Sequence, residues 1–301
     1  MTELLSVFIN VIMPVFGIVV LGFLLGGRLE LQARTLTRAA YYVFVPAFIF
    51  QAISRSRVDL DNTLKMIVFI VLAHLISVFI AGGIGRVLGR PKELIAAFVM
   101  IASFGNVGNY GLAVIRFRLG DLALAPATIY FVAITISAFV VCVGAAGWAR
   151  GGSRGALWGV VKTPALWATV PAIAVSAGKI DVPLMASRMI GLLADAMIPV
   201  MLFALGLQLL EQRRVKVSGD VLLATGIRLL LVPAVAYCVA IPFGFGPIEQ
   251  AAGILQAGMP TAILVAIIAK ENEILPDFVT SVVVFSTLAS LLTLTMLMVM
   301  L

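Results

Sequence analysis

Ten long apolar segments, each about long enough to cross a lipid bilayer, most constrain the fold of this chain. A hydrocarbon core of about 30 Å requires about 20 apolar residues in a helix. Only 12% of the residues are charged, whereas a soluble domain has about 25%. We therefore predict an all-α polytopic membrane protein with ten transmembrane helices in a single domain, residues 1–301. The segments are approximately 4–25, 36–53, 62–85, 94–119, 122–148, 156–177, 184–210, 221–241, 248–269 and 278–300.

The fourth segment carries residues that disfavour a continuous helix at its centre. Three glycines and two asparagines stand at Gly105, Asn106, Gly108, Asn109 and Gly111. Glycine costs a helix roughly 1 kcal/mol, and asparagine is also a poor helix former. Inside a bilayer, an interrupted backbone is tolerated only where it is packed in protein or lines a watery cavity. Since carriers place interrupted helices at their substrate sites, we predict a break and a binding site here.

The chemistry of this break favours an anionic ligand. A second half-helix that begins near Gly108–Gly111 would point its free N–H groups and positive dipole end toward the membrane midplane. Asn106 and Asn109 are three residues apart, so one helical turn places both on the same side. Their amides can donate hydrogen bonds to a carboxylate. The alternative is small-residue packing between helices with asparagine hydrogen bonds, but the density of these residues favours the site.

The ninth segment has a second, sparser interruption, formed by Gln256, Gly258, Pro260 and Thr261. Proline removes one backbone donor and frees a carbonyl about one turn earlier. We expect the Gln256 and Thr261 side chains to pair with the freed backbone groups, and Gly258 to allow close backbone approach. A plain proline kink is the alternative. The matching position of the fourth segment favours a site at which the two broken helices cross.

The two halves of the chain resemble each other. The second and seventh segments each place a proline, Pro46 and Pro199, four residues ahead of a phenylalanine. We predict that both prolines break or hinge their helices. Because each copy would contain five spans, the copies must lie in opposite orientations, which is the inverted repeat of many secondary transporters. The copies would span residues 1–149 and 156–301.

Three of the ionisable residues within apolar segments have two interpretations each. Asp195 is either a proton or cation site or the partner of a nearby arginine. His74, the only histidine, either relays protons or is a hydrogen-bonded structural residue. Arg228 either extends to the inner membrane surface or contacts substrate.

The sequence lacks the patterns that are typical of several other functional classes. There is no Walker A motif, so ATP is not expected to drive the protein directly. One histidine and two scattered cysteines, Cys142 and Cys238, are too few for an ordinary zinc site. No nucleophile and base are paired. We expect no catalytic residue, no metal and no cofactor.

The net charge of +7 is better explained by membrane topology than by nucleic-acid binding. If both termini face outside, thirteen lysines and arginines lie in the inner loops and seven in the outer loops, and Arg228 completes the 21. Positive residues are enriched in cytoplasmic loops. We therefore predict that both termini lie outside the cell (inner) membrane, and that nucleic acid is not a partner.

Four groups of residues resemble motifs of the auxin efflux carrier family, in its bacterial branch. The run from Gly105 to Leu112 resembles the family's Gly-Asn…Asn-x-Gly-Leu-Pro motif, except that Ala113 stands in place of the proline. The other matches are Asp195–Pro199 with Leu202 and Gly206, Pro46 with Phe50, and Pro260–Ala262. The resemblance covers nearly the whole chain.

This resemblance implies a fold shared with bile-acid sodium symporters and sodium/proton antiporters. Helices 1, 2, 6 and 7 would form a scaffold, and helices 3–5 and 8–10 a transport unit with two crossed, broken helices. Plant members export the auxin anion and are dimers, so the resemblance implies a homodimer. Bacterial members are associated with malate or malonate.

The first functional hypothesis is a secondary carrier of small organic carboxylates, which binds its substrate at the crossover and moves the transport unit like an elevator. The second is a proton- or sodium-coupled symporter that uses Asp195 or His74. The third is a membrane protein that senses a ligand without transporting it.

Overall fold

The computed structural model describes residues 2–55, 60–150, 164–178, 180–211 and 215–301, and the regular secondary structure of these residues is helical. The helices are α1 Glu3–Gly26, α2 Ala33–Ser54, α3 Leu60–Val87, α4 Lys92–Ser103, α5 Leu112–Leu119, α6 Leu124–Arg150, α7 Pro164–Gly178, α8 Leu184–Glu211, α9 Gly219–Phe243, α10 Pro247–Ala257, α11 Ile263–Glu271 and α12 Pro276–Met300.

Seven helices in the described residues are long and apolar enough to span a membrane: α1, α2, α3, α6, α8, α9 and α12. They correspond to seven of the ten predicted segments. The fourth predicted segment is divided between α4 and α5, and the ninth between α10 and α11. The sixth predicted segment begins outside the described residues, and its described part is α7. The described part of the chain is therefore all-helical, and its seven candidate spans indicate a multi-pass membrane protein.

The two prolines predicted to break helices have different settings. Pro46 lies in α2, two residues after the end of a π-helical turn, Ala40–Phe44. Pro199 lies inside α8, which continues from Leu184 to Glu211. Helix α2 likewise continues through Pro46, from Ala33 to Ser54. The predicted break is therefore wrong at both prolines, and a hinge at either one stays a prediction.

One group of helices consists of α1, α2, α7 and α8, in which α1 packs along α8, and α2 packs against both α7 and α8. The crossing of α1 and α8 is close because glycines face each other there. A Cβ on Gly206 would overlap the backbone oxygen of Val19, and one on Gly22 would overlap that of Phe203. Small residues allow helices in a membrane to approach closely, and this close packing stabilises their association.

The remaining helices form a second group around α4 and α6. Helix α4 lies between α3 and α6, α9 packs against α3, α10 and α12, and α11 packs on α12. Residues Leu94–Ala97 and Met100–Ser103 of α4 are buried, so this short helix has protein around most of its circumference. That surrounding protein explains how its end is tolerated at membrane depth.

The two interruptions meet in the middle of this second group. Helical structure stops at Ser103 and resumes with a π-helical turn at Val107, and it stops again between Ala257 and Ile263. Gly105 and Thr261 form an antiparallel bridge. The Asn106 N–H donates to the Pro260 oxygen at 2.7 Å, and the Ala262 N–H donates to the Phe104 oxygen at 2.9 Å. Each interrupted segment thus satisfies backbone groups of the other.

The first interruption begins just ahead of the run of glycines and asparagines from Gly105 to Gly111. Phe104 has an extended backbone, with φ −120° and ψ 97°, whereas Leu112 is already helical. Ala113 is buried within α5. The missing proline at position 113 therefore lies well after the point where the helix stops.

Candidate functional site

A cavity of about 160 Å³ lies against the meeting point of the two interruptions. It is bounded by both groups of helices, and its walls are mainly apolar with a few amide and hydroxyl groups. The first interruption and the π-helical turn after it contribute Phe104, Gly105, Asn106, Val107, Gly108 and Asn109. The second interruption and α11 contribute Ala262, Ile263, Leu264 and Ile267. The other walls are Thr37, Tyr41 and Val45 of α2, Phe131 and Thr135 of α6, and Met201 and Gln208 of α8.

Two helix starts face this cavity. After the first interruption, the earliest N–H groups that bond within the new helix are those of Tyr110 and Gly111, which donate to the Asn106 oxygen. The N–H groups of Gly108 and Asn109 come before these two donors in the chain, in the first turn, where the helix itself offers no acceptor. On the other side, Ile263 and Leu264 occupy the first turn of α11. The partial positive charge of two helix starts therefore acts on one cavity, which favours an anion.

Asn106 and Asn109 both line this cavity, as their spacing predicts. Asn106 is buried, with 4% of its surface exposed, and it stands directly before the π-helical turn. Asn109 is half-buried. Gly105 and Gly108 lie on the same wall, where a Cβ on Gly108 would come within 2.8 Å of the Phe131 ring. Four of the predicted site residues are thus brought together.

The facing helices contribute an amide that the sequence prediction missed. Gln208 of α8 donates from Nε2 to the Thr37 hydroxyl at 2.9 Å. Its Oε1 atom is buried and has no hydrogen-bond partner among the described residues. A lone glutamine in the apolar run 201–210 is the signal that could have identified it. Thr37 gave no such signal, because one threonine near a helix start is ordinary.

Three other predicted site residues, Gly111, Gln256 and Gly258, lie away from this cavity. Gln256 is fully buried and donates from Nε2 to the Ala127 oxygen at 3.1 Å. A Cβ on Gly111 would overlap its Oε1 atom, and a Cβ on Gly258 would come within 2.6 Å of Leu297. Gln256, Gly111 and Gly258 therefore pack the interruptions against their neighbours, and their predicted contact with substrate is not supported by their positions.

Pro260 and Thr261 form the backbone contact between the interruptions. The Pro260 oxygen accepts from Asn106, and the Thr261 N–H donates to the Ser286 hydroxyl at 3.1 Å. The Thr261 hydroxyl is buried without a partner among the described residues. The prediction that Gln256 and Thr261 side chains pair the freed backbone groups is wrong, because another residue does so.

That residue is Arg228 of α9. Its Nε, Nη1 and Nη2 atoms donate to the backbone oxygens of Met259, Ala102 and Ala257 at 2.7, 2.7 and 2.8 Å. Only 2% of its surface is exposed. The interpretation in which Arg228 extends to the membrane surface is therefore wrong, since its charge is held at the meeting point of the interruptions.

His74 lies close to this arginine. It is buried, and together with Tyr130, Ser103 and Arg228 it lines a void of about 10 Å³. Its Nε2 atom has no hydrogen-bond partner among the described residues. His74 does not line the larger cavity beside Asn106.

Asp195 lines a separate cavity of about 310 Å³, between α2 and α8 on one side and α5 and α6 on the other. The same cavity is lined by Arg55, Arg116 and Asp121, and Arg116 Nε lies 3.0 Å from Asp121 Oδ1. Among the described residues no cation lies within ion-pair distance of Asp195. In the same part of the chain, no three His, Cys, Asp or Glu side chains are grouped closely enough to hold a metal ion.

Comparison with known proteins identifies the family of this architecture. The model of a family described as "Membrane transport protein" matches residues 7–149 and 153–298. The chain belongs to this family. The predicted membership of the auxin efflux carrier family is confirmed by this match and by the relatives below.

Relatives of this membrane transport family come from archaea, bacteria and plants. The chain is 26% identical to an "Uncharacterized transporter" of Methanothermobacter thermautotrophicus, over 94% of this chain and 95% of that protein. It is 24% identical to a "Putative malonate transporter" of Rhizobium meliloti, over 95% of this chain and 93% of that protein. A shorter match, 32% identical over 37% of this chain and 21% of the other, is to the "Probable auxin efflux carrier component 1b" of Oryza sativa. These relatives are named as carriers and not as enzymes.

Proposed function

We propose that this membrane transport protein is a secondary carrier of small organic carboxylate anions, and that it binds them in the cavity beside Asn106 and Asn109. The observation that carries this proposal is the convergence of two helix starts and two asparagine amides on one mainly apolar cavity. Such groups donate hydrogen bonds to a carboxylate without presenting a free cation. The apolar walls suit a short hydrocarbon chain.

The size of the cavity supports a small substrate. Its 160 Å³ is about half of the roughly 300 Å³ at which pockets for drug-sized ligands begin. A carboxylate of a few carbon atoms fits this space. The name of the Rhizobium meliloti relative, which refers to malonate, agrees with a substrate of this size.

The arrangement of the helices suggests how access would alternate. The cavity lies between the group α1, α2, α7 and α8, which we propose as the scaffold, and the group that contains both interruptions, which we propose as the transport unit. The transport unit would slide against the scaffold and carry the substrate with it. In this proposal the chain has ten transmembrane helices in two inverted repeats, with crossed interruptions between α4 and α5 and between α10 and α11. It forms a homodimer in the inner membrane with both termini outside.

Exchange of labelled malonate across proteoliposomes tests the site. We expect Asn109→Ala and Asn106→Ala each to slow exchange by about 10- to 100-fold, because a hydrogen bond to a charged group contributes about 1.5–3 kcal/mol. Asn10→Ala is the matched control, since Asn10 is an exposed asparagine of α1 that bonds only locally, from Nδ2 to the Ser6 hydroxyl. Gel filtration of each variant checks folding.

Two outcomes would contradict the carrier proposal. Unchanged exchange in both cavity variants would show that the anion does not bind beside these asparagines. A wild-type protein that is stabilised by malonate against heat, but exchanges no small carboxylate, would instead be a ligand sensor.

Coupling to protons through Asp195 is the second candidate, because this carboxylate lines a cavity between the two groups of helices. It has no ion-pair partner among the described residues. An imposed pH gradient would then drive malonate uptake into wild-type vesicles. Asp195→Asn would exchange malonate but would no longer respond to the gradient. Equal responses in the two proteins would exclude this role.

A further inference from the structure

The guanidinium of Arg228 joins the ends of two interrupted helices. Ala102 lies in the last turn of α4, Ala257 is the last residue of α10, and Met259 lies in the second interruption. The backbone oxygens of all three accept hydrogen bonds from Arg228. The acceptor Ala102 lies 126 residues away in the sequence. A single side chain thus holds both helix ends.

The charge of the guanidinium is opposite to that of the two helix ends it contacts. The C-terminal end of a helix carries about half a negative elementary charge, so the ends of α4 and α10 together carry about one, which matches one guanidinium. None of the ion pairs within the described residues involves Arg228. A buried cation is costly unless it is paired and hydrogen-bonded. The helix ends are therefore its counter-charge.

The surroundings leave room for the guanidinium and for little else. A Cβ on Gly105 would overlap Nη2 of Arg228, so this approach requires glycine. The adjoining void measures about 10 Å³, and a water molecule requires about 10–15 Å³. A hydrated metal ion cannot lie beside Arg228 in this arrangement.

In carriers with interrupted helices, unwound carbonyls and half-helix C-terminal ends are the groups that coordinate a coupling Na⁺ or H⁺. We propose that Arg228 is a tethered cation that occupies such a carbonyl site, so that no metal cation binds at this meeting point. The charge that a coupling ion would bring and release is here a permanent part of the protein. The hydrogen bonds of Arg228 support the occupied carbonyl site by themselves. The expectation that transport needs no sodium rests in addition on the proposed carrier function.

Thermal unfolding of purified protein in detergent tests the carbonyl site without any transport assay. Arg228→Ala removes the guanidinium and leaves three carbonyls around an empty space. We expect its unfolding midpoint to rise by a few degrees when sodium chloride, or millimolar guanidinium chloride, replaces choline chloride at constant ionic strength. The wild-type midpoint should be the same in all three salts. A variant that is folded yet indifferent to both small cations would overturn the proposal.

A matched control is Arg118→Ala. Arg118 also donates from Nη2 to a backbone oxygen, that of Met298, at 2.8 Å, but it holds this single carbonyl at a part-buried position. We expect no response of this variant to sodium or guanidinium. An equal response in Arg118→Ala would show that the effect is not specific to the carbonyl site, and would overturn the proposal.

A pair of longer replacements decides the question if Arg228→Ala does not fold. Arg228→Lys keeps the charge, whereas Arg228→Met keeps similar bulk without it. We expect the lysine variant to melt at the higher temperature, and equal or reversed midpoints would overturn the tethered cation. In wild-type vesicles, malonate exchange should be unchanged when choline replaces sodium on both sides. An absolute sodium requirement that persists in Asp195→Asn, which removes the other candidate cation site, would contradict the proposal. A failure of malonate to exchange bears on the carrier function and leaves the unfolding test valid.

Discussion

The backbone N–H of Asn106 donates to the carbonyl oxygen of Pro260 at 2.7 Å, which joins the two interrupted segments at the point where each leaves helical geometry. Asn106 is also a cavity residue. The same residue therefore connects the backbone of one interruption to that of the other and presents its amide to the proposed substrate. Movement of either segment relative to the other would disturb the site.

The second backbone bond between the segments can be removed at a residue whose backbone angles suit proline. Ala262 has φ −69° and ψ 143°, values that proline adopts readily. Ala262→Pro deletes the N–H that donates to the Phe104 oxygen and leaves that buried oxygen unpaired. We expect the free energy of unfolding to fall by about 1–3 kcal/mol, with a lower thermal midpoint in detergent.

The control for this substitution is Lys92→Pro. Lys92 is the first residue of α4, where the N–H has no partner within the helix and proline is favoured. Its thermal midpoint should match that of the wild type. If the two proline variants have the same thermal midpoint, the hydrogen bond between Ala262 and Phe104 does not contribute measurably to stability.

The crossing of α1 and α8 should depend on Gly206. Gly206→Ala places a methyl group against the backbone oxygen of Val19, and backbone cannot yield as a flexible side chain can. We expect a loss of about 1–3 kcal/mol, as for other overpacked sites, measured by thermal unfolding. Gly17→Ala in α1 meets no atom within 4 Å, so it should be neutral or stabilise the helix by up to about 1 kcal/mol. The opposite ranking would show that the helices do not cross closely here.

The sequence predicts much of the helical framework, because a bilayer imposes a minimum length on every apolar span. Seven of the ten predicted segments are continuous helices of that length. The glycines and asparagines of the fourth segment also identify one wall of the cavity, since their helix propensity is poor regardless of their neighbours. These features are local, so they can be found without a structure.

The partners across the cavity could not be predicted, because they depend on contacts between distant helices. Gln208 contacts Thr37, which is 171 positions away in the sequence. The acceptors of Arg228 are backbone oxygens, and every residue has one, so the side chains at Ala102, Ala257 and Met259 give no sign of the role. For the same reason the sequence assigned the pairing of the freed carbonyls to Gln256 and Thr261, which are polar and close by, when a guanidinium from another helix provides it.

Gln208 of α8, which belongs to the proposed scaffold, should influence the affinity for the substrate. Its Oε1 atom is buried beside the cavity, and Gln208→Glu adds a negative charge there, which repels a carboxylate. We expect the KM for malonate exchange to rise about tenfold, equivalent to about 1.4 kcal/mol. Gln208→Met has a similar shape without the charge and should raise KM less. A glutamate variant that exchanges malonate with the wild-type KM would place the substrate away from Gln208.

Transport should respond to membrane voltage if no coupling cation moves with the substrate. Arg228 remains bound to backbone oxygens of its own group of helices, so the charge that crosses is that of the anion. Each net charge gains about 2.3 kcal/mol per 100 mV, so an inside-negative potential of that size would concentrate a monoanion outside by about 50-fold. Valinomycin and potassium gradients of either polarity, applied to proteoliposomes, measure this. Asn109→Ala vesicles provide the background. Equal accumulation at both polarities would mean that a proton or metal cation accompanies the anion, and Asp195 would then be the first residue to replace.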